Sequence, residues 1–203
     1  MKTKDLILKV AEEEFSKLGY DAVSMNNLVK KLDINKATIY YHFKDKKTLY
    51  HEVLKNVITE MNLKIRSVFM GNLDGETLFR VYVNTIVLSI KQRPSIVSLA
   101  FREMANYGAN VDNSLVPYIE EEIKYIEMIM KRLDLKDFYK NINQYALLSL
   151  IHGTIKEFYV IQMSTLSIGG KSELKQNSDK TLNYISEFIS NIILDAIVEN
   201  KEL

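Results

Sequence analysis

The chain has no cysteine and no tryptophan, and its 203 residues include only two prolines, seven glycines and three histidines. Without cysteine there is no disulfide framework, thiolate metal site or cysteine nucleophile, which fits a cytoplasmic protein. So little glycine and proline speaks against a turn-dense β architecture and for helices. His42, His51 and His152 form no HExxH pair, and no P-loop, GxSxG or GxGxxG motif is present. No catalytic residue, metal site or cofactor is therefore expected, and the chain does not read as an enzyme. Long apolar runs are also missing. The best, Val81 to Ile90, is interrupted by Asn84 and Thr85 and falls short of the roughly 18 residues of a membrane span. The opening "MKTKDLILKVAEEEF" starts with two lysines as a signal peptide does, but Asp5 and Glu12, Glu13 and Glu14 break the apolar stretch it needs.

What is present is an uneven distribution of charge. The net charge is +1, yet residues 1–50 carry ten lysines against seven acids, and Lys30 to Lys47 holds six lysines against two aspartates. A small basic N-terminal module thus precedes a larger part with a slight acidic excess, and the basic module is where a polyanion would bind.

Apolar residues recur at helical spacing almost throughout. Leu6, Ile7, Val10, Ala11, Phe15 and Leu18 predict a first helix stopped by Gly19. Met25, Leu28, Val29 and Leu32 predict a short second helix with Ser24 as its N-cap. After the break "DIN", Asn35 caps a third helix to about Phe43, and Asp45 caps a fourth, long one to about Met70. Beyond "GNLDGE" the pattern predicts helices near 75–91, 95–106, 115–133, 138–164 and 179–200, with a loop over 164–178. Pro94 and Pro117 fall where a first helical turn tolerates proline.

Two short helices joined by a tight turn make a helix-turn-helix candidate. At about 100° per residue, Ile39 and Phe43 share one face of the third helix, which must be buried. Tyr41 points nearly opposite with Ala37 and Thr38 beside it, while Tyr40 and His42 lie on the flanks. That arrangement suits a helix in the DNA major groove. Lys36 can donate to guanine, Thr38 can donate or accept, and Ala37 or the Thr38 methyl can meet a thymine methyl. Tyr40, His42, Ser24 and Lys46 are placed for phosphates.

The run from Met1 through "LGYDAVSMNNLVKKLDINKATIYYHFKDKKTLYHEVL" resembles the N-terminal DNA-binding domain of the TetR (tetracycline repressor) family. The resemblance rests on Ala11 and Phe15 before "LGY", Ser24, Ile34 and "TIYYHFKDKKTLY". It implies that Lys36, Ala37, Thr38, Tyr41 and His42 face the groove and that Ser24, Tyr40 and Lys46 contact phosphates. Asn26 matches a position that reaches a base in some members, and Asn35 stands where the family commonly has Ser. Leu32-Asp33 departs from the usual Ala-Gly of the turn. If residue 33 has positive φ, Asp tolerates it less well than Gly.

The resemblance implies an all-α protein of about nine helices, divided into a DNA-binding domain at 1–46 and a ligand-binding and dimerisation domain at 47–203. It also implies a homodimer through the last two helices, a double-stranded operator as partner, and no membrane. The residues themselves support the dimer. "YALLSLIHGTI" (145–155) is apolar on nearly all sides except at His152, Ser149 and Gly153 permit close helix approach, and Leu182, Ile185, Phe188, Ile189, Ile192, Ile193, Ala196 and Ile197 form a wide stripe. Phe69, Tyr82, Phe101, Met104, Tyr107, Tyr118, Tyr125, Met128, Phe158, Tyr159 and Met163 are the candidates to line a cavity for a small hydrophobic or aromatic effector. Arg102, Glu103, Asn106, His152, Glu157 and Gln162 are polar groups that could orient it. The expected function is a TetR-type regulator that represses until the effector releases it. The competing reading is a helical ligand-binding or interaction module with a vestigial helix-turn-helix.

Overall fold

A computed structural model describes residues 3–163 and 178–199. Among these it contains nine α-helices: α1 (Thr3–Leu18), α2 (Met25–Leu32), α3 (Lys36–His42), α4 (Lys46–Val68), α5 (Gly75–Gln92), α6 (Ser95–Ala105), α7 (Val116–Met130), α8 (Gln144–Met163) and α9 (Ser178–Ile197). The fold is all-α, and no described helix is long and apolar enough to cross a membrane. The loop expected over 164–178 lies, apart from Ser178, outside the described residues, as does the side chain of Leu182. Two compact units emerge, Met1–Glu60 with Arg93–Tyr118, and Met61–Gln92 with Ile119–Leu203.

In the first unit, α1 buries Ile7, Ala11 and Phe15, the face its spacing predicts. Gly19 ends the helix at φ 83 and returns its N–H to Phe15 O at 2.9 Å. The last carbonyls of a helix lack partners, and here Arg102 of α6 supplies them, Nε to Ser16 O at 3.2 Å and Nη2 to Lys17 O at 2.6 Å. A Cβ on Gly19 would sit 2.9 Å from Arg102 Nη1. Arg93, just before α6, donates to Glu12 of α1 and to Glu60 and Asn56 of α4, and Ser95 also donates to Glu12. Contacts that no local pattern announces thus draw α6 into the N-terminal unit.

Ser24 takes the extended backbone of an N-cap, but its side chain makes no capping bond, which corrects that expectation. Asp33 ends α2 in the left-handed region, φ 50 and ψ 46, with the N–H groups of Asp33 and Ile34 turned back to Lys30 O and Val29 O. Because glycine adopts this conformation without a Cβ clash, Asp33→Gly is expected to stabilise the first unit by up to about 1 kcal/mol, read as a higher melting temperature.

In the second unit, α5 packs on α9 and α8. Leu78, Phe79, Tyr82, Val83 and Ile86 of α5 are buried, as are Ile185, Ile189 and Ile193 of α9. The eighth helix begins at Gln144, not at 138. Asp137–Tyr139 forms a 3-10 turn, and Asn143 Oδ1 accepts the Ala146 N–H at 3.0 Å to start the helix. Lys136 Nζ closes the far end of α9 on the carbonyls of Asp195 and Ala196. The long helix α4 is unbroken, with residues 46–60 in the first unit and 61–68 in the second.

Candidate nucleic-acid interface

The third helix divides as its periodicity predicts. Asn35 Oδ1 accepts the Ala37 N–H at 2.8 Å and starts it, and Phe43 ends it with an N–H to Ile39 O at 2.8 Å. Ile39 and Phe43 are fully buried, whereas Tyr41 is 86% exposed. Lys36, Ala37, Tyr40 and, on α2, Asn26 are exposed, while Ser24, Thr38 and His42 are half-buried. Lys36 Nζ lies 5.7 Å from the centre of the Tyr40 ring, and Tyr41 meets His42 edge-on at 5.2 Å. The outward surface therefore offers a cation, a methyl, a hydroxyl and a phenol along one short helix, which is the mixture that reads base edges.

This surface rests on a fixed base. Phe15, Tyr20 and Tyr50 form an aromatic cluster, with Tyr50 at 4.7 Å from Phe15 and 5.1 Å from Tyr20. The Tyr50 hydroxyl donates to the buried Glu103, and its pKa is pushed up by burial and by that carboxylate. Lys46 spends its ammonium inside the fold, on the carbonyls of Tyr20 at 2.9 Å, Asp21 at 3.2 Å and Val23 at 3.1 Å, and over the Tyr20 ring. An ammonium has three donors, and all three are used here. It pins the turn between α1 and α2, a role with no signature in the local sequence.

With this geometry in place, comparison with known proteins is decisive for ancestry. Residues 7–53 match the family "Bacterial regulatory proteins, tetR family". The N-terminal segment 7–53 is of the TetR family type. The uncharacterized HTH-type transcriptional regulator YhgD of Bacillus subtilis is 27% identical over 130 residues, 60% of this chain and 67% of that protein. The biofilm operon icaADBC HTH-type negative transcriptional regulator IcaR of Staphylococcus aureus is 37% identical over 59 residues, 29% of this chain and 32% of its own length. The second similarity thus spans about a third of that relative. Among solved structures, the transcriptional regulator FadR from Bacillus subtilis in complex with stearoyl-CoA has a TM-score of 0.68 at 12% identity, covering 94% of this chain and 97% of that one. At that identity the likeness is one of fold.

The residues expected to line a cavity fall into both units. Phe101, Met104, Tyr107 and Tyr118 belong to the first. Phe101 and Met104 are exposed, Tyr107 is 98% exposed at φ 52, and Tyr118 has Lys55 Nζ 5.3 Å from its ring centre. The second unit holds the rest. There the Phe69 ring lies tilted against Tyr125 at 4.7 Å, and the Tyr125 hydroxyl donates to Glu121 at 2.7 Å, beside Arg66. Phe158 and Tyr159 are half-buried, and Met128 and Met163 are exposed. Tyr82 is fully buried, and its hydroxyl donates to Glu122 Oε1 at 3.0 Å. His152 Nε2 lies 2.7 Å from the same oxygen, so His152 is an inward group of the bundle. Burial works to raise the Glu122 carboxyl, but the charge of His152 and the hydrogen bonds from His152 and Tyr82 outweigh it and hold its pKa low. Burial pushes the Lys156 ammonium down, partly offset by Glu122. Sequence reasoning singled out Tyr82 and His152 separately and missed Glu122, the residue that joins them.

Proposed function

We propose that the chain is a cytoplasmic transcriptional repressor that binds a palindromic operator as a homodimer and releases it when a small hydrophobic or aromatic effector binds. Function divides at residue 46, with DNA binding in 1–46 and ligand binding and dimerisation in 47–203. The observation that carries this reading is the two-sided α3, with Ile39 and Phe43 buried and Lys36, Ala37 and Tyr41 outward. Lys36 donates to a guanine, and Ala37 and Thr38 meet a thymine methyl. Tyr41 and His42 face the groove, Asn26 reaches a base, and Ser24 and Tyr40 hold phosphates. Lys46 reaches a phosphate only by leaving carbonyls it already holds.

The dimer is supported by the apolar surface that α8 and α9 leave uncovered. Tyr145, Leu150, Val160 and Ile161 on α8 are exposed, as are Tyr184, Phe188 and Ile192 on α9. A Cβ on Gly153 would meet nothing within 4 Å, so a partner helix can approach there. Two such pairs close a four-helix interface with two-fold symmetry. Repression has the precedent of IcaR, named a negative regulator, and binding of a molecule with a long apolar chain that of FadR, solved in complex with stearoyl-CoA. Two paired α3 helices must sit roughly 34–36 Å apart, or a helical multiple of that, to read both half-sites. The unbroken α4 is the proposed lever by which the effector changes that separation.

The test is a mobility shift on the DNA upstream of the gene. A specific complex with a steep salt dependence is expected. Lys36→Ala is expected to weaken it by about 10–100-fold and to relax preference at one base position, whereas Tyr40→Ala weakens all sequences alike. Binding of equal strength to any sequence would overturn the operator and favour an interaction module. Saturating effector that leaves operator affinity unchanged would refute the coupling.

A further inference from the structure

Within the second unit, α5 and α9 line an open groove of about 370 Å³ whose surface is polar and apolar in nearly equal parts, with Val81 among the lining residues. Arg80 and Asn84 come from α5, and Asn183, Ser186, Glu187 and Ser190 from α9. Ser186 and Ser190 are buried, Ser190 to 1% exposure, and the Ser190 Oγ has no hydrogen-bond partner. A serine inside a helix ordinarily bonds to the carbonyl four residues back, and a buried hydroxyl without a partner is rare because it is costly. Arg80 gives one N–H to Asn191 Oδ1 at 2.6 Å, and its guanidinium has five N–H donors in all. Among the described residues, Arg80 and Glu187 both line the groove and form no ion pair with each other, so the groove carries one charge of each sign.

We infer that this groove binds a small zwitterion of the α-amino acid class. Its carboxylate meets Arg80 and the hydroxyls of Ser190 and Ser186, and its ammonium meets Glu187 and the amide oxygens of Asn84 and Asn183. A simple anion would face Glu187, a simple cation would face Arg80, and a neutral polyol would leave both charges unmatched. The volume is that of a small-molecule site. At about 100° per residue, Asn183, Ser186, Glu187 and Ser190 lie on a different flank of α9 from Tyr184, Phe188 and Ile192. Pairing through that apolar stripe therefore leaves the groove open, and the site does not depend on the operator reading.

The experiment is calorimetric titration of the full chain with each of the twenty common α-amino acids, and with acetate and methylammonium at matched ionic strength. At least one amino acid is expected to bind saturably while both single-charge probes fail. Arg80→Ala and Glu187→Gln are each expected to weaken that binding by about tenfold or more, and Ser190→Ala by about three- to tenfold. Arg80 and Glu187 are exposed, so both variants are expected to melt at the temperature of the parent without ligand. The proposal is overturned if no amino acid binds saturably, if acetate or methylammonium binds as tightly, or if affinity survives Arg80→Ala. None of these outcomes would alter the operator mobility shift.

Discussion

Leu150→Glu combined with Ile192→Glu is expected to convert the proposed dimer into monomers and to weaken binding to the proposed operator by about 10²–10⁴-fold, the gain that linking two half-sites provides. Leu150 is 55% exposed on α8 and Ile192 52% exposed on α9, so glutamate at either position costs the single chain little. In a two-fold pair made by α8 and α9 the same positions lie inside the contact, where each carboxylate must lose its water. Light scattering on a size-exclusion column should give the monomer mass, and the melting temperature should stay near that of the parent below the dimer contribution. A double variant that remains dimeric with unchanged affinity would show that the last two helices are not the interface.

Glu122→Ala is expected to cost about 2–4 kcal/mol, the usual consequence of leaving buried polar groups unsatisfied. The alanine would leave the Tyr82 hydroxyl and the His152 Nε2 without the oxygen they share, in a region already closed to water. The pH dependence has a definite sign. The folded carboxyl lies below its ordinary value, so its contribution is fully present above the unfolded pKa of about 4.3 and is lost as pH falls through the folded pKa. Glu122→Gln keeps the shape and an acceptor for Tyr82 but removes the titration, so its stability should fall less steeply on acidification. Urea unfolding between pH 7 and the acid limb distinguishes these outcomes. An unchanged midpoint for Glu122→Ala would remove the pair from the account of this unit.

Much of the candidate DNA-reading surface was legible because its determinants are local. The burial of Ile39 and Phe43 and the exposure of Tyr41 follow from helical spacing, and the caps at Asn35 and Asp45 act within three residues. Ser24 looked equally like a cap and makes no such bond, since its residue type names a preference and not a geometry. Asp33 was legible as a point of tension, and it does take the left-handed conformation. His152 stood out as the one ionisable side chain in the apolar run 146–155, but its partner lies 30 positions away in a helix where several acids look alike.

By itself, then, the sequence determined the helices, the short turn between α2 and α3, and the two faces of α3, because hydrogen bonds within a helix and an apolar period need no distant partner. Only the tertiary structure decided that α6 packs on α1 through Arg93 and Arg102, with Arg93 and Glu12 81 positions apart, that Lys46 holds the α1–α2 turn, and that Tyr82 and His152 share one oxygen of Glu122. The reason is physical. A charged side chain chooses its partner among every opposite group that folding brings within reach, and that set exists only once the helices have packed.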